Sequence, residues 1–236
     1  MCHLPQFSLW NIYWNDASSN EKDNMDLFWH IIQQELSIFG KLFSHIERGY
    51  LTRKVASVDI ELPQVLGHRY DWGQKYHFMR RASGATIQEA HQESVDFIKQ
   101  ETIAWIKIMT RVLHTYRRTG RSGGSTNVLR KQAANHLALA LHSLQDSFSS
   151  GHTKRSNYNI VKCPGAIKDI YIYEKQDSHK HGQHDFDSAS TNSILSRSAV
   201  YASADLLKLC AFSISVKNQQ PIRWHAFEKQ WLKLSV

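Results

Sequence analysis

The chain has 236 residues, 42% of them apolar, enough for one domain with a sizeable core and too apolar for an intrinsically disordered segment. A net charge of +8 suits partners that carry phosphate, whether nucleic acid or anionic lipid. Cys2, Cys163 and Cys210 are isolated, which excludes a disulfide framework and a thiolate metal site.

Taken in chain order, residues 1–20 mix aromatic and polar side chains without a period and read as an irregular arm. Asn24 or Asp26 can cap a helix through Leu27, Ile31, Ile32, Leu36, Phe39 and Leu42, whose apolar spacing is mostly three and four. A second helical stretch covers Thr52 to Leu62 and ends before Pro63. Leu66 to Arg81 reads as a loop rich in His, Asp and Tyr.

Thr86 to Arg118 is the longest periodic segment and predicts a long helix, straight or bent. The run Thr119–Thr126 holds three Gly and two Ser and predicts a flexible connection. Val128 to Phe148 predicts another helix. Residues 151–187 form a long polar connection with strand-like runs at Tyr158–Val161 and Ile170–Tyr173, and a loop of that length in a compact domain is usually functional or disordered. Ser188 to Phe212 reads as a helix, and the tail with Trp224, Phe227, Trp231 and Leu234 as a short amphipathic one. With few Pro and Gly and no internal repeat, the expected architecture is all-α. It is a single multi-helix domain over 1–236, packed around a polar, metal-binding cleft.

The chemistry concentrates in His142-Ser-Leu-Gln-Asp146-Ser-Phe-Ser-Ser-Gly-His152. His142 and Asp146 are four apart and share one helical face. The Ser-Ser-Gly break can then fold His152 back towards them. Imidazole nitrogen and carboxylate oxygen are the donors that zinc takes. Two further clusters flank this one. The first is Asp71-Trp-Gly-Gln-Lys-Tyr-His77. The second is His179-Lys-His181-Gly-Gln-His184-Asp185-Phe-Asp187, in which His181 and Asp185 repeat the His-x-x-x-acid spacing. The Ser residues beside Asp146 lack any base or oxyanion hole legible in sequence, so a serine nucleophile is set aside.

The pattern His-x-x-x-Asp-x-x-x-x-x-His on a buried helix, followed by a later His-x-x-x-acid, resembles the zinc-dependent phospholipase C and single-strand nuclease superfamily. It also resembles the phospholipase-like domains of bacterial toxins. The resemblance spans Tyr70 to Asp187, about half the chain. It implies one zinc held by Asp71, His77, His142 and Asp146, with Asp146 bridging towards a second ion held by His152, His181 and Asp185. His184 and Asp187 are alternates for that pair, and Asp59 is a rival to Asp71. The family's third zinc uses an amino-terminal Trp and an early His. This chain begins Met-Cys-His, so the expected number is two or three, with His30 and His45 as candidates.

What the resemblance implies is a metal-dependent phosphodiesterase, with phospholipid as the leading substrate and nucleic acid as the alternative. A non-catalytic module with a structural or degenerate metal site is a third reading. Asp71 would orient or deprotonate the attacking water. Arg80, Arg81, Lys154 and Arg155 would hold the rest of the phosphate, and no cofactor nucleotide is expected. No apolar run approaches the ~20 residues of a spanning helix, and the first ten residues lack a signal's basic and apolar regions. The expectation is a protein that stays in the producer's cytoplasm or leaves by a dedicated machine as an effector. Contact with a membrane surface and an inhibitory immunity protein would follow from that analogy.

Overall fold

A computed structural model describes residues 70–119, 124–156, 160–173, 193–216 and 223–235, together with Leu51, Lys54, Val55, Val58, Asn218, Gln220 and Pro221. The arm at 1–20, the first expected helix and the whole of 174–192 lie outside the described residues.

The fold is all-α with one small sheet. A 3-10 helix, Asp71–His77, is followed by α1 (Ile87–Thr119) and α2 (Gly124–Asp146). Strands β1 (Thr153–Arg155) and β2 (Ile167–Ile170) come next, then α3 (Ile194–Ser215) and α4 (Trp224–Trp231). The 3-10 helix occupies Asp71–His77 within the loop expected over 66–81, of which 66–69 lie outside the described residues. The strands also differ from the expected runs. Thr153 pairs with Ile170 and Lys154 with Asp169 in an antiparallel ladder, while Ile160 makes only an isolated bridge to Cys163. Ile167 also bridges in parallel to Leu234, so the carboxy-terminal tail covers the other edge of β2.

The start of α1 is written in Thr86-Ile-Gln-Glu89. Thr86 N–H donates to Glu89 Oε2 (2.7 Å) and Glu89 N–H donates to Thr86 Oγ1 (3.1 Å), a reciprocal capping box. From there Val95, Ile98, Thr102, Trp105, Ile106, Met109 and Val112 form a buried stripe at the three-and-four spacing of one helical face. A connection of only residues 120–123 returns the chain as α2, antiparallel and packed on α1.

Helix α2 is the centre of the molecule. From Leu137 to Ser149 every residue except Leu139 is buried, because α1, α3 and the 3-10 helix all pack on it. Small side chains at Ala133, Ala138 and Ala140 are buried there and let neighbours approach closely. Gln145 Nε2 donates to Ser203 Oγ on α3 (3.2 Å), and Ser143 Oγ donates to Lys75 O of the 3-10 helix (2.8 Å). Polar side chains of α2 therefore point into the protein on two sides and must find partners there.

One glycine is fixed by geometry. Gly165 has φ +75°, and a Cβ added there would lie 1.6 Å from Ser156 O. The backbone is pressed against Ser156 because Ser156 N–H donates to Ala166 O (2.8 Å).

Candidate metal centre

Helix α2 ends at Asp146 and the 3-10 helix ends at His77; the two ends meet. Phe78, directly after His77, takes a left-handed conformation (φ 48°) with its ring fully buried. That conformation costs a bulky residue about 1–3 kcal/mol. It is held by packing of the ring edge-on to His91 and by the bond from Met79 N–H to Gln74 O (2.9 Å). The turn it makes aims the His77 imidazole at α2 and the His77 carbonyl at His152.

Three donor atoms form a small triangle. His142 Nε2 lies 3.1 Å from His77 Nδ1 and 3.1 Å from Asp146 Oδ2, and His77 Nδ1 lies 3.3 Å from Asp146 Oδ2. A tetrahedral ion with bonds of about 2.0 Å separates its ligands by about 3.3 Å, so the edges have the dimensions of one coordination face. All three residues are buried. Two imidazole nitrogens and a carboxylate oxygen are electron-rich, and bringing them together in a dry interior requires shared positive charge, protons or a cation. The donor set and spacing fit a divalent metal ion, and this buried group could hold one.

The carboxylate also sits at a helix carboxy-terminus, where the backbone dipole is negative. Burial alone would raise the Asp146 pKa. The attraction of the His142 and His152 imidazoles, whenever they carry a proton, and the close approach of His142 and His77 outweigh it and hold the carboxyl well below the usual range. Asp146 is therefore an anion that depends on cationic or coordinating neighbours.

His152 stands beside this group. Its Nδ1 donates to His77 O and lies 3.7 Å from Asp146 Oδ2. With Nδ1 bonded to a carbonyl, the lone pair of the neutral ring is placed on Nε2, an arrangement common among metal-binding imidazoles. The other members of the expected second site, His181 and Asp185, lie outside the described residues, as do His184, Asp187, Asp59, His30 and His45.

Asp71 is placed differently from the expectation. Its Oδ1 accepts from Ala82 N–H (2.9 Å). A hydrogen bond from Ser83, with others from the same turn, holds its carboxyl below the ordinary value. It closes the turn before α1 and is not part of the three-residue group.

The four expected phosphate-binding cations separate into different roles. Arg155 is buried. Its guanidinium donates to Ser147 O (3.0 Å), Gly165 O (3.1 Å), Trp231 O (3.0 Å) and Ser147 Oγ (3.2 Å). It also stacks over Phe148 at 4.2 Å. Burial pulls its pKa down to about 9. Arg155 thus ties the end of α2 to the β-hairpin and α4, and its donors are taken by carbonyls instead of substrate. Arg81 pairs with Glu93 at 2.8 Å on the surface, and Lys154 points to solvent. Arg80 is nearest by connectivity. Its backbone N–H donates to Tyr171 O, and Tyr171 N–H donates to His152 O, both at 2.9 Å. Arg80 Nε is buried with no hydrogen-bond partner among the described residues.

Sequence reasoning had no means of finding Ser143, which locks α2 to the 3-10 helix, or the left-handed turn at Phe78. A serine in a helix and a phenylalanine in a loop carry no such signal. No known protein-family model, curated protein or solved structure matches this chain. Its likeness to zinc phospholipases C therefore rests on the quoted motifs. Among the described residues no helix is long and apolar enough to cross a membrane.

Proposed function

We propose that the chain is a metal-dependent phosphodiester hydrolase of the zinc phospholipase C kind, with zinc the resident ion and a phospholipid the substrate. The observation that carries this reading is the triangle of His77 Nδ1, His142 Nε2 and Asp146 Oδ2, with edges of 3.1 to 3.3 Å. His77, His142 and Asp146 would hold the ion, and His152, His181 and Asp185 remain the proposed ligands of a second. A bound zinc supplies a water acidic enough to ionise near neutral pH and positive charge for the phosphate oxygens. Asp146 offsets part of the ion's charge, and its placement between imidazoles keeps it anionic. Arg80, with a buried guanidinium nitrogen and a backbone linked through Tyr171 to His152, is the residue proposed to grip a phosphate oxygen. In this reading the protein acts as an exported effector at a lipid surface, countered in the producer by an inhibitory partner.

Two observations favour other readings. Tyr70 and Trp72, at and just before the start of the 3-10 helix, are about half exposed and stack with ring centroids 6.5 Å apart at 10°. Exposed stacked rings on the segment that leads into His77 suit nucleobases and support a nuclease. The near-complete burial of all three ligands supports instead a closed, structural ion, because catalytic sites keep a coordination position open.

The test is hydrolysis with added zinc of a chromogenic phosphodiester, of phosphatidylcholine vesicles and of single-stranded DNA, by wild type, His142→Ala and Arg80→Ala. The phospholipase reading expects vesicle hydrolysis abolished by His142→Ala and weakened by Arg80→Ala. Cleavage of DNA alone selects the nuclease. Zinc-dependent stability with no hydrolysis of any substrate selects the structural ion.

A further inference from the structure

From Thr102 to Gln145 the sequence carries seven Lys or Arg and no Asp or Glu, although the chain as a whole has 21 acids in 236 residues. At that average about four acids would fall in a stretch of this length, so its surface is unusually one-signed. The stretch is the second half of α1, the connection and nearly all of α2.

The charges are ordered in space. Lys107, Arg111 and Arg118, with the imidazole of His114 among them, are all exposed, and the four positions follow one another at steps of four, three and four. Such steps keep side chains within one narrow strip of a helix, here about 16 Å long. Tyr116 and Arg117 are exposed beside the strip, and Lys131 is exposed on α2. Lys107, Arg111, Arg117 and Arg118 make no ion pair with any described residue, whereas in the first half of α1 Glu93 is paired with Arg81. Complementing the helix dipole accounts for cations in the last turn only. Arg111 and Lys107 lie about two and about three turns before the end of the helix. The amino-terminal turns of α2 hold no acid, so the positive end of that helix adds to the same field.

We propose that this strip is a binding track for the phosphate backbone of a single-stranded nucleic acid. A line of cations on one helix fits a flexible chain of phosphates that can follow it. A flat anionic membrane laid along α1 would also press on Glu89 and Asp96, which are exposed in the first half of the same helix. Exposed Tyr116, half exposed beside the arginines, offers a face for base stacking. Arginine, which exceeds lysine here by five to two, matches phosphate with its planar fork. The track is near the opposite end of α2 from Asp146, roughly 30 Å away, and stands independently of the metal centre.

The experiment is fluorescence anisotropy of the full chain with a labelled single strand of about 20 nucleotides across a salt series. It is repeated for Lys107→Glu/Arg111→Glu/Arg118→Glu and for the neutral Gln triple variant. The track predicts binding that falls with salt at a log–log slope near −3 for about four contacts. The Glu variant should lose about 10-fold or more, with the Gln variant in between. Thermal melting of each variant controls for folding, and all three positions are exposed. Absence of binding by wild type overturns the proposal, as does equal binding by a folded Glu variant. Binding of phosphatidylserine vesicles that the oligonucleotide fails to displace also overturns it, in favour of an anionic lipid.

Discussion

His77 Nδ1 and His142 Nε2 lie 3.1 Å apart although 65 positions separate them in sequence. The first ends a 3-10 helix and the second rides on the buried face of α2. Their meeting with Asp146 makes a three-atom face whose dimensions suit a metal ion. It also makes the electrostatics of the core depend on what fills that face.

Asp146→Asn keeps the shape of the side chain and removes its charge. We expect a loss of metal-dependent stabilisation. Wild type should gain about 2.7 kcal/mol when free zinc is a hundredfold above its dissociation constant, and the variant should gain little at the same zinc concentration. Thermal melting across a zinc titration reads this directly. Equal upward shifts in wild type and variant would remove Asp146 from the ligand set.

Arg155 should behave as a structural clamp. Arg155→Ala strands carbonyls of Ser147, Gly165 and Trp231 and removes the cation stacked on Phe148. The expected cost is about 3–5 kcal/mol, measured by urea unfolding. Arg155→Lys keeps charge but loses the planar fork, and should recover only part of that stability. A variant as stable as wild type would show that the four bonds contribute nothing net.

Gly165→Ala places a Cβ 1.6 Å from Ser156 O at a left-handed φ. The hairpin must open to admit it, and the expected destabilisation is about 2 kcal/mol or more. Hydrogen exchange should show faster exchange at Ser156, whose N–H bonds to Ala166 O across that gap. Unchanged protection would mean that the backbone accommodates the methyl group elsewhere.

Stability should fall on the acid side through His91. Burial lowers its pKa from the ordinary 6.5, against the raising effects of its bond to Leu232 O and of Glu228. Between the lowered folded value and 6.5 the unfolded chain binds more protons, so stability rises with pH across that window. The contribution is complete above about 6.5 and lost as pH falls through the folded value. Comparing melting of wild type and His91→Gln from pH 5 to 7.5 isolates this residue. The wild-type curve should be steeper, and parallel curves would exclude it.

Much of the helical frame was readable because its signals are local. The stripe from Val95 to Val112 fixes α1 by spacing alone, and the expected span 86–118 lies within a residue of Ile87–Thr119. His142 and Asp146 could be paired in advance for the same reason, since four residues always make neighbours on a helix. Other features arise from packing between distant segments. Residues 66–81 looked like a loop because their helix is a short 3-10 segment, stabilised by Ser143 reaching Lys75 O and not by its own periodicity. Arg155 looked like a phosphate ligand because it lies three residues after His152 in a polar stretch. Only the convergence of three backbone carbonyls on it shows otherwise. Asp71 matched a motif, yet the turn at Ala82 and Ser83 engages its carboxylate.

The most direct measurement is the metal content of the full chain purified without chelator, by elemental mass spectrometry, beside His142→Ala. At least one divalent ion per wild-type chain, zinc by expectation, and close to none in the variant is the predicted result. A wild-type ratio near zero that stays there after dialysis against zinc would contradict the metal centre, and His77, His142 and Asp146 would then be a proton-sharing cluster of the core.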